Sequence, residues 1–142
     1  MSKQQFPEPA VGALILNPEG KILLIRSHKW RDKYVIPGGH IEVGEKIDEA
    51  LQREIKEETG LDVYDAEFIG LQEFICDDAF WKPGRHFIFL DYACRTDSKE
   101  VILDSKEAQE YQWVSMEDSE KLDIGLYTKQ AIKTYMKNRN TG

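Results

Sequence analysis

An α/β layer fold is expected from three features of this 142-residue chain. Residues 46–59 contain no Gly or Pro and are dominated by good helix formers. Several short apolar runs are bounded by Gly, Pro, Asn or Asp, which is the pattern of strands and turns. Residues 128–138 close the chain as a second amphipathic helix, with Ile132, Tyr135 and Met136 on one face. Strands interrupted by one helix and ended by another pack as layers around a single core.

Taken in order, residues 1–8 are polar and read as a frayed lead-in. Residues 10–16 form an apolar strand that ends at the turn signal Asn17-Pro18-Glu19-Gly20, and residues 21–26 are its hairpin partner. Residues 27–33 form a polar loop holding His28 and Trp30. A short strand, 34–36, enters Pro37-Gly38-Gly39, a bend that lets backbone approach a ligand closely. After the first helix, residues 61–76 contain β-rich pieces, with 63–76 as a long or bulged strand near Gly70. Residues 77–85 form a loop, and residues 86–94 are the densest strand signal. A polar turn at 96–100 precedes short strands at 101–103 and 112–114. Ser115 is placed to cap a short helix beginning at Met116. The tail, 139–142, is expected to be loose, and the whole chain, 1–142, reads as one domain.

The first helix carries an anomaly. With Glu54 set at zero, Ile47 falls at about +20°, Ala50 at about −40° and Leu51 at about +60° around the helix. Glu58 then falls at about +40° and Glu57 at about −60°, on the same side. An apolar stripe therefore becomes a carboxylate stripe. Like charges at these spacings repel by roughly 0.2–0.5 kcal/mol per pair. The helix C-terminus also disfavours anions. A solvated acidic helix end is the ordinary explanation of such a cluster, but the core-facing placement calls for a positive partner. A hard divalent cation, Mg²⁺ or Mn²⁺, suits clustered oxygen ligands and leaves room for phosphate oxygens.

Residues 39–61 resemble the Nudix box, the signature of the Nudix hydrolases. Gly39, Glu45, Arg53, Glu54, Ile55, Glu57, Glu58, Gly60 and Leu61 fill its fixed positions without departure. The resemblance implies an α/β/α sandwich around a central mixed sheet, and a hydrolase that cleaves a diphosphate linked to another group with Mg²⁺ or Mn²⁺. It implies that Glu54, Glu57 and Glu58, with the Gly39 carbonyl, hold metal. It also implies that Arg53 orients the carboxylates and that Glu45 braces the loop. Glu54, Glu57 and Arg53 are then catalytic. In relatives a Glu ahead of a similar Trp joins the metals or acts as base, and Glu107 before Trp113 matches that place better than Glu110. The bottom-up chemistry agrees, because diphosphate hydrolysis needs an activated water and neutralised phosphate charge, both of which metal ions supply.

Composition limits the partners. With 19 Lys and Arg against 26 Asp and Glu, the net charge is −7, which argues against wrapping duplex nucleic acid. No apolar run is long enough to span a membrane, and the lead-in lacks a signal-peptide core, so a cytoplasmic location is expected. Cys76 and Cys94 make neither a metal spacing nor a disulfide framework and read as core thiols. A homodimer is left open.

Substrate contacts are expected from Arg26, Trp30, Trp81 and Arg85, with His28 and His86 as further phosphate candidates, Phe80 as a further stacking aromatic and Tyr127 at the pocket border. Each of these also has an ordinary packing or surface explanation. Among Nudix subgroups, the proline marker of ADP-ribose members is replaced by Cys76, and the tyrosine of dinucleoside polyphosphate and coenzyme A members by Asp78. The expectation is therefore a small-molecule nucleotide substrate, foremost a nucleoside triphosphate. ADP-ribose or a nucleotide sugar is the alternative, and a Nudix-fold binding module without turnover is a third reading. A structural Ca²⁺ loop is disfavoured by the lack of alternating Asp and Asn ligands.

Overall fold

The computed structural model describes residues 6–75, 84–104 and 108–141. In chain order the elements are β1 (Glu8–Leu16), β2 (Ile22–Ser27), β3 (Lys33–Val35), β4 (Gly38–His40), α1 (Ile47–Thr59), β5 (Tyr64–Ile75), β6 (His86–Arg95), β7 (Ala108–Val114) and α2 (Leu126–Thr141). The strands make one mixed sheet in the order β3-β2-β1-β6-β5, with β4 added to β1 and β7 to β2. β1 and β6 run parallel, from Glu8 opposite Phe87 to Leu16 opposite Arg95. The other pairings between these strands are antiparallel. With its two helices, this is the α/β/α sandwich expected.

β1 is apolar and buried from Ala10 to Leu16 because it is central and covered on both faces. Val11, Ala13, Leu14 and Ile15 are fully buried, as are Ile22, Leu23 and Leu24 of β2. Burying each Leu or Ile contributes about 1.5–3 kcal/mol relative to exposure. Glu8, assigned above to the frayed lead-in, is the first residue of β1.

The bend expected at Pro37-Gly38-Gly39 is instead strand β4, with Gly38 opposite Gly12 and Gly39 opposite Val11. Glycine is required here because a Cβ on Gly38 would lie 2.0 Å from the Val11 carbonyl oxygen. Residues 101–103 form no strand. The backbone N–H of Ile102 donates to Thr59 O (2.9 Å) and that of Asp104 to Glu58 O (3.1 Å), so this segment satisfies the last carbonyls of α1.

α1 begins where Lys46 N donates to the Glu49 side chain (2.8 Å) and stops at Gly60, whose φ of 74° closes the last turn. Ala50, Leu51, Ile55 and Thr59 are buried, whereas Ile47 is exposed at 39%, outside the stripe expected of it. α2 buries Tyr127, Thr128, Ala131, Ile132 and Tyr135 and leaves Met136 exposed, so the buried face is displaced from the one expected. It also runs through residues 139–141, which the sequence reading left loose. β5 is bulged between Phe68 and Gly70 as expected, and a Cβ on Gly70 would meet the Thr134 methyl of α2 at 3.2 Å.

Asp91 of β6 is 2% exposed and stands between Gly12 and Gly70 on the neighbouring strands. Gln72 Nε2 donates to its Oδ2 (2.7 Å), and Oδ1 has no hydrogen-bond partner among the described residues. Burial pushes the Asp91 carboxyl up to about 7, above its ordinary value of 3.8. The unfolded chain therefore loses this proton first. The stability Asp91 contributes is full below about pH 4 and is lost as pH rises through about 7, on the order of a few kcal/mol. Asp91→Asn, which cannot ionise, should flatten the fall in Tm between about pH 4 and about pH 7. Thermal melts at the two pH values test this, and an unchanged slope would show that another group governs it.

Candidate active site

The carboxylate stripe of α1 is organised by one guanidinium. Arg53 donates to both oxygens of Glu45, from Nε (2.5 Å) and Nη2 (2.9 Å). Its Nη1 reaches Glu54 (3.0 Å) and Glu57 (3.3 Å), and Nη2 also reaches the His40 carbonyl (3.0 Å). The pair with Glu45 is bidentate, which fixes the plane of the guanidinium. Glu45 also accepts from Glu42 N (2.9 Å). The Arg53 contact, helped by this backbone donor, holds the Glu45 carboxyl down at about 2. Glu45 in turn raises the pKa of Arg53.

Glu54 is more enclosed than Glu57, at 15% side-chain exposure against 59%. Burial raises its pKa, and Arg53 offsets part of that rise. It packs against bare backbone, since a Cβ on Gly39 would lie 2.2 Å from Glu54 Oε2. Glu58 accepts from Gly38 N (3.2 Å). The two glycines of β4 thus seat two of the three carboxylates.

These groups line one wall of a cleft of about 260 Å³. Its floor is aromatic. Phe89 and Tyr127 stack at 4.6 Å, Trp30 lies 4.8 Å from Tyr127, and Phe87 stacks on Phe89 at 5.4 Å. Tyr127 is held by donating from its hydroxyl to Ile36 O (2.8 Å), and full burial pushes its pKa up. Ser27, Lys29, His40 and Asp104 complete the polar lining.

The donor set fits Mg²⁺ or Mn²⁺, being three carboxylates and a carbonyl of hard oxygen, gathered where glycine backbone leaves room. Among the described residues no three His, Cys, Asp or Glu side chains converge on one point. Mg²⁺ is commonly held by one or two carboxylates together with waters and phosphate oxygens, so it does not need a closed protein cage. Repulsion between neighbouring carboxylates, eased by Arg53, accounts for their spread.

Other expected site residues divide. Trp30 and Tyr127 line the cleft, with Trp30 buried in its floor. Arg26 does not line it. Ile25 and Ser27 do, so strand alternation turns Arg26 to the opposite face, where Nε donates to Gln109 (3.0 Å) and lies 3.6 Å from Glu110. Glu110 is a β7 residue bonded to the Tyr34 hydroxyl, away from the cleft. Arg85 is outside the lining as well. It pairs with Glu8 through Nε (2.6 Å) and lies over the Phe87 ring at 5.6 Å, while Glu8 also meets His40 (2.7 Å). His28 pairs with Asp32 (2.9 Å) and His86 with Glu73 (2.8 Å). Cys94 is a buried core thiol whose pKa burial pushes up to about 12. Trp81, Phe80, Cys76, Asp78 and Glu107 lie outside the described residues. Lys29, Asp104, Phe87 and Phe89 were missed. The β6 pair was visible only as strand pattern, which does not say which face meets a cleft.

Comparison with known proteins places the chain in context. A family model described as NUDIX domain matches residues 6–134. The nucleoside triphosphatase NudI of Escherichia coli (strain K12) is 33% identical over 108 residues, covering 71% of this chain and 74% of that protein. The NAD-capped RNA hydrolase NudC of Pseudomonas aeruginosa is 28% identical over 115 residues, which is 80% of this chain and 38% of that protein. The chain thus spans well under half of that relative's length. The crystal structure of the MutT NUDIX hydrolase from Burkholderia pseudomallei superposes with a TM-score of 0.76 at 23% identity, covering 92% of this chain and 98% of that one.

Gly39→Ala should push Glu54 out of its seat while leaving the strand intact, since the clash is with a side-chain tip. Binding to the native state raises Tm. Mn²⁺ should therefore stabilise the parent and should lose most of that effect in the variant. An equal Mn²⁺-induced shift in both proteins would remove Glu54 from the metal site.

Proposed function

The chain belongs to the Nudix hydrolase family, and on that premise we propose that it hydrolyses the diphosphate linkage of nucleoside diphosphate compounds, with nucleoside triphosphates as its substrates. The observation that carries this reading is the set of three glutamates, two of them tied to Arg53, on the wall of an aromatic-floored cleft. The 33% identity to a nucleoside triphosphatase supports the choice of substrate.

Water adds to one phosphorus of the P–O–P bridge, the bridging bond breaks, and two phosphate products leave. Glu54, Glu57, Glu58 and the Gly39 carbonyl would hold Mg²⁺ or Mn²⁺, which lowers the pKa of water and neutralises phosphate oxygens. Arg53 orients Glu54 and Glu57, and Glu45 fixes Arg53 by bidentate pairing. The Gly38 N–H holds one Glu58 oxygen. The floor of Trp30, Phe89 and Tyr127 offers apolar ring faces to a nucleobase. Glu107 is the proposed general base, Trp81 is proposed to border the substrate, and Arg85, held by Glu8 outside the cleft lining, is set aside. Arg26, turned to the far face, is set aside.

A phosphate-release screen with Mg²⁺ tests the reading, coupled to pyrophosphatase for nucleoside triphosphates and to alkaline phosphatase, which frees phosphate from the monoester products, for ADP-ribose, nucleotide sugars and dinucleoside polyphosphates. Turnover of triphosphates that stops in excess EDTA is expected, and hydrolysis undiminished by EDTA would sink it. Glu57→Gln should lower kcat by about 10²-fold or more with Tm kept, because it removes a ligand and relieves repulsion. A parent-like rate would contradict that role. Glu107→Gln should lower kcat more than it raises KM, as for a group acting in the transition state. An unchanged kcat would exclude the base role.

A further inference from the structure

Among the described residues lining the cleft, Lys29 is the one lysine or arginine, set against Glu54, Glu57, Glu58 and Asp104. Its backbone is placed with unusual care. Lys29 sits in a single 3-10 turn, His28–Trp30, whose preceding Ser27 hydroxyl accepts from Lys29 N (3.2 Å). Arg31 N donates to His28 O (3.2 Å), and Asp32 N donates to Ser27 O (2.9 Å). Asp32 also pairs with His28 (2.9 Å). Arg31 and Asp32 follow at φ of 58° and 61°, two consecutive non-glycine residues in the left-handed region. That conformation is costly for both and persists only where surrounding contacts enforce it. On the other side the turn is anchored by Trp30, packed on Tyr127 and on Phe74 at 5.6 Å. The result is a constrained turn that delivers an aromatic floor residue and a cation side by side.

We infer that Lys29 is a specificity-determining residue that takes the outermost phosphate of a triphosphate chain, so that the cleft prefers triphosphates to compounds whose diphosphate ends in a neutral sugar. This rests on the hydrolase reading above. The carboxylate wall serves the phosphates flanking the scissile bridge. A third phosphate adds negative charge in a cleft otherwise rich in carboxylates, and it needs a counter-charge from another element. Lys29 comes from the turn after β2 rather than from α1. An ammonium on a flexible stem suits a terminal phosphate that can rotate, because it acts as a point charge and requires no fixed fork geometry. A sugar in that place offers Lys29 no charge.

Calorimetric binding of inorganic tripolyphosphate and of pyrophosphate, each with Mg²⁺, tests the inference on the full chain. The parent should prefer tripolyphosphate. Lys29→Gln should weaken tripolyphosphate binding about tenfold while pyrophosphate stays within about twofold, with Tm unchanged. Lys29→Arg keeps the charge and should keep the preference. An equal loss for both ligands, no loss for either, a parent without preference, or loss of the preference in Lys29→Arg would each overturn the assignment. If the parent shows the Lys29-dependent preference yet hydrolyses no nucleotide, the assignment stands and the hydrolase reading falls.

Discussion

The arrangement depends on the contacts of the Arg53 guanidinium. Glu54, Glu57 and Glu58 stand at one end of α1 at spacings where like charges repel and where the helix dipole opposes them. Arg53 reaches Glu45, Glu54, Glu57 and the His40 carbonyl at once. Few side chains other than arginine can serve so many acceptors from one plane. Its bidentate hold on Glu45 ties the helix to the loop before it, and its bond to the His40 carbonyl ties both to the end of β4.

The backbone meets the same requirement from the other side. β4 lies so close to β1 that Gly38 has no room for a side chain, and Gly39 has none because Glu54 occupies the space. The stripe is seated against main chain, with an N–H of β4 on Glu58. Asp104 N and Ile102 N close the carbonyls at the end of the helix, which leaves the side chains to face the cleft rather than cap the backbone. The aromatic floor comes from three other elements, the turn after β2, strand β6 and helix α2, so the cleft exists only where all of them meet.

Much of this was legible in the chain. The helix of residues 47–59, the central apolar strand, the dense strand near His86 and the bulge at Gly70 all follow from local pattern, since each depends on periodicity or on one special residue. The misreadings have one source. Gly38 and Gly39 looked like a bend because glycine frees the backbone, but here glycine is needed for close strand pairing. Residues 101–103 looked like a strand because they are apolar, but their N–H groups are taken by the end of α1. Arg26 and Arg85 were expected to contact substrate as basic residues. One faces β7, and the other is held by Glu8.

What the sequence determined by itself was the family: nine box positions fall within 23 residues, and Glu54, Glu57 and Glu58 share a face because a helix repeats every three to four residues. What only the tertiary structure decided was the company those carboxylates keep. Lys29, Phe87, Phe89, Tyr127 and Asp104 come from distant parts of the chain and meet at the cleft through sheet order and strand facing. A one-residue change of facing turns a strand side chain from the cleft to the opposite face, as Arg26 between Ile25 and Ser27 illustrates, and no local pattern records which of the two will occur.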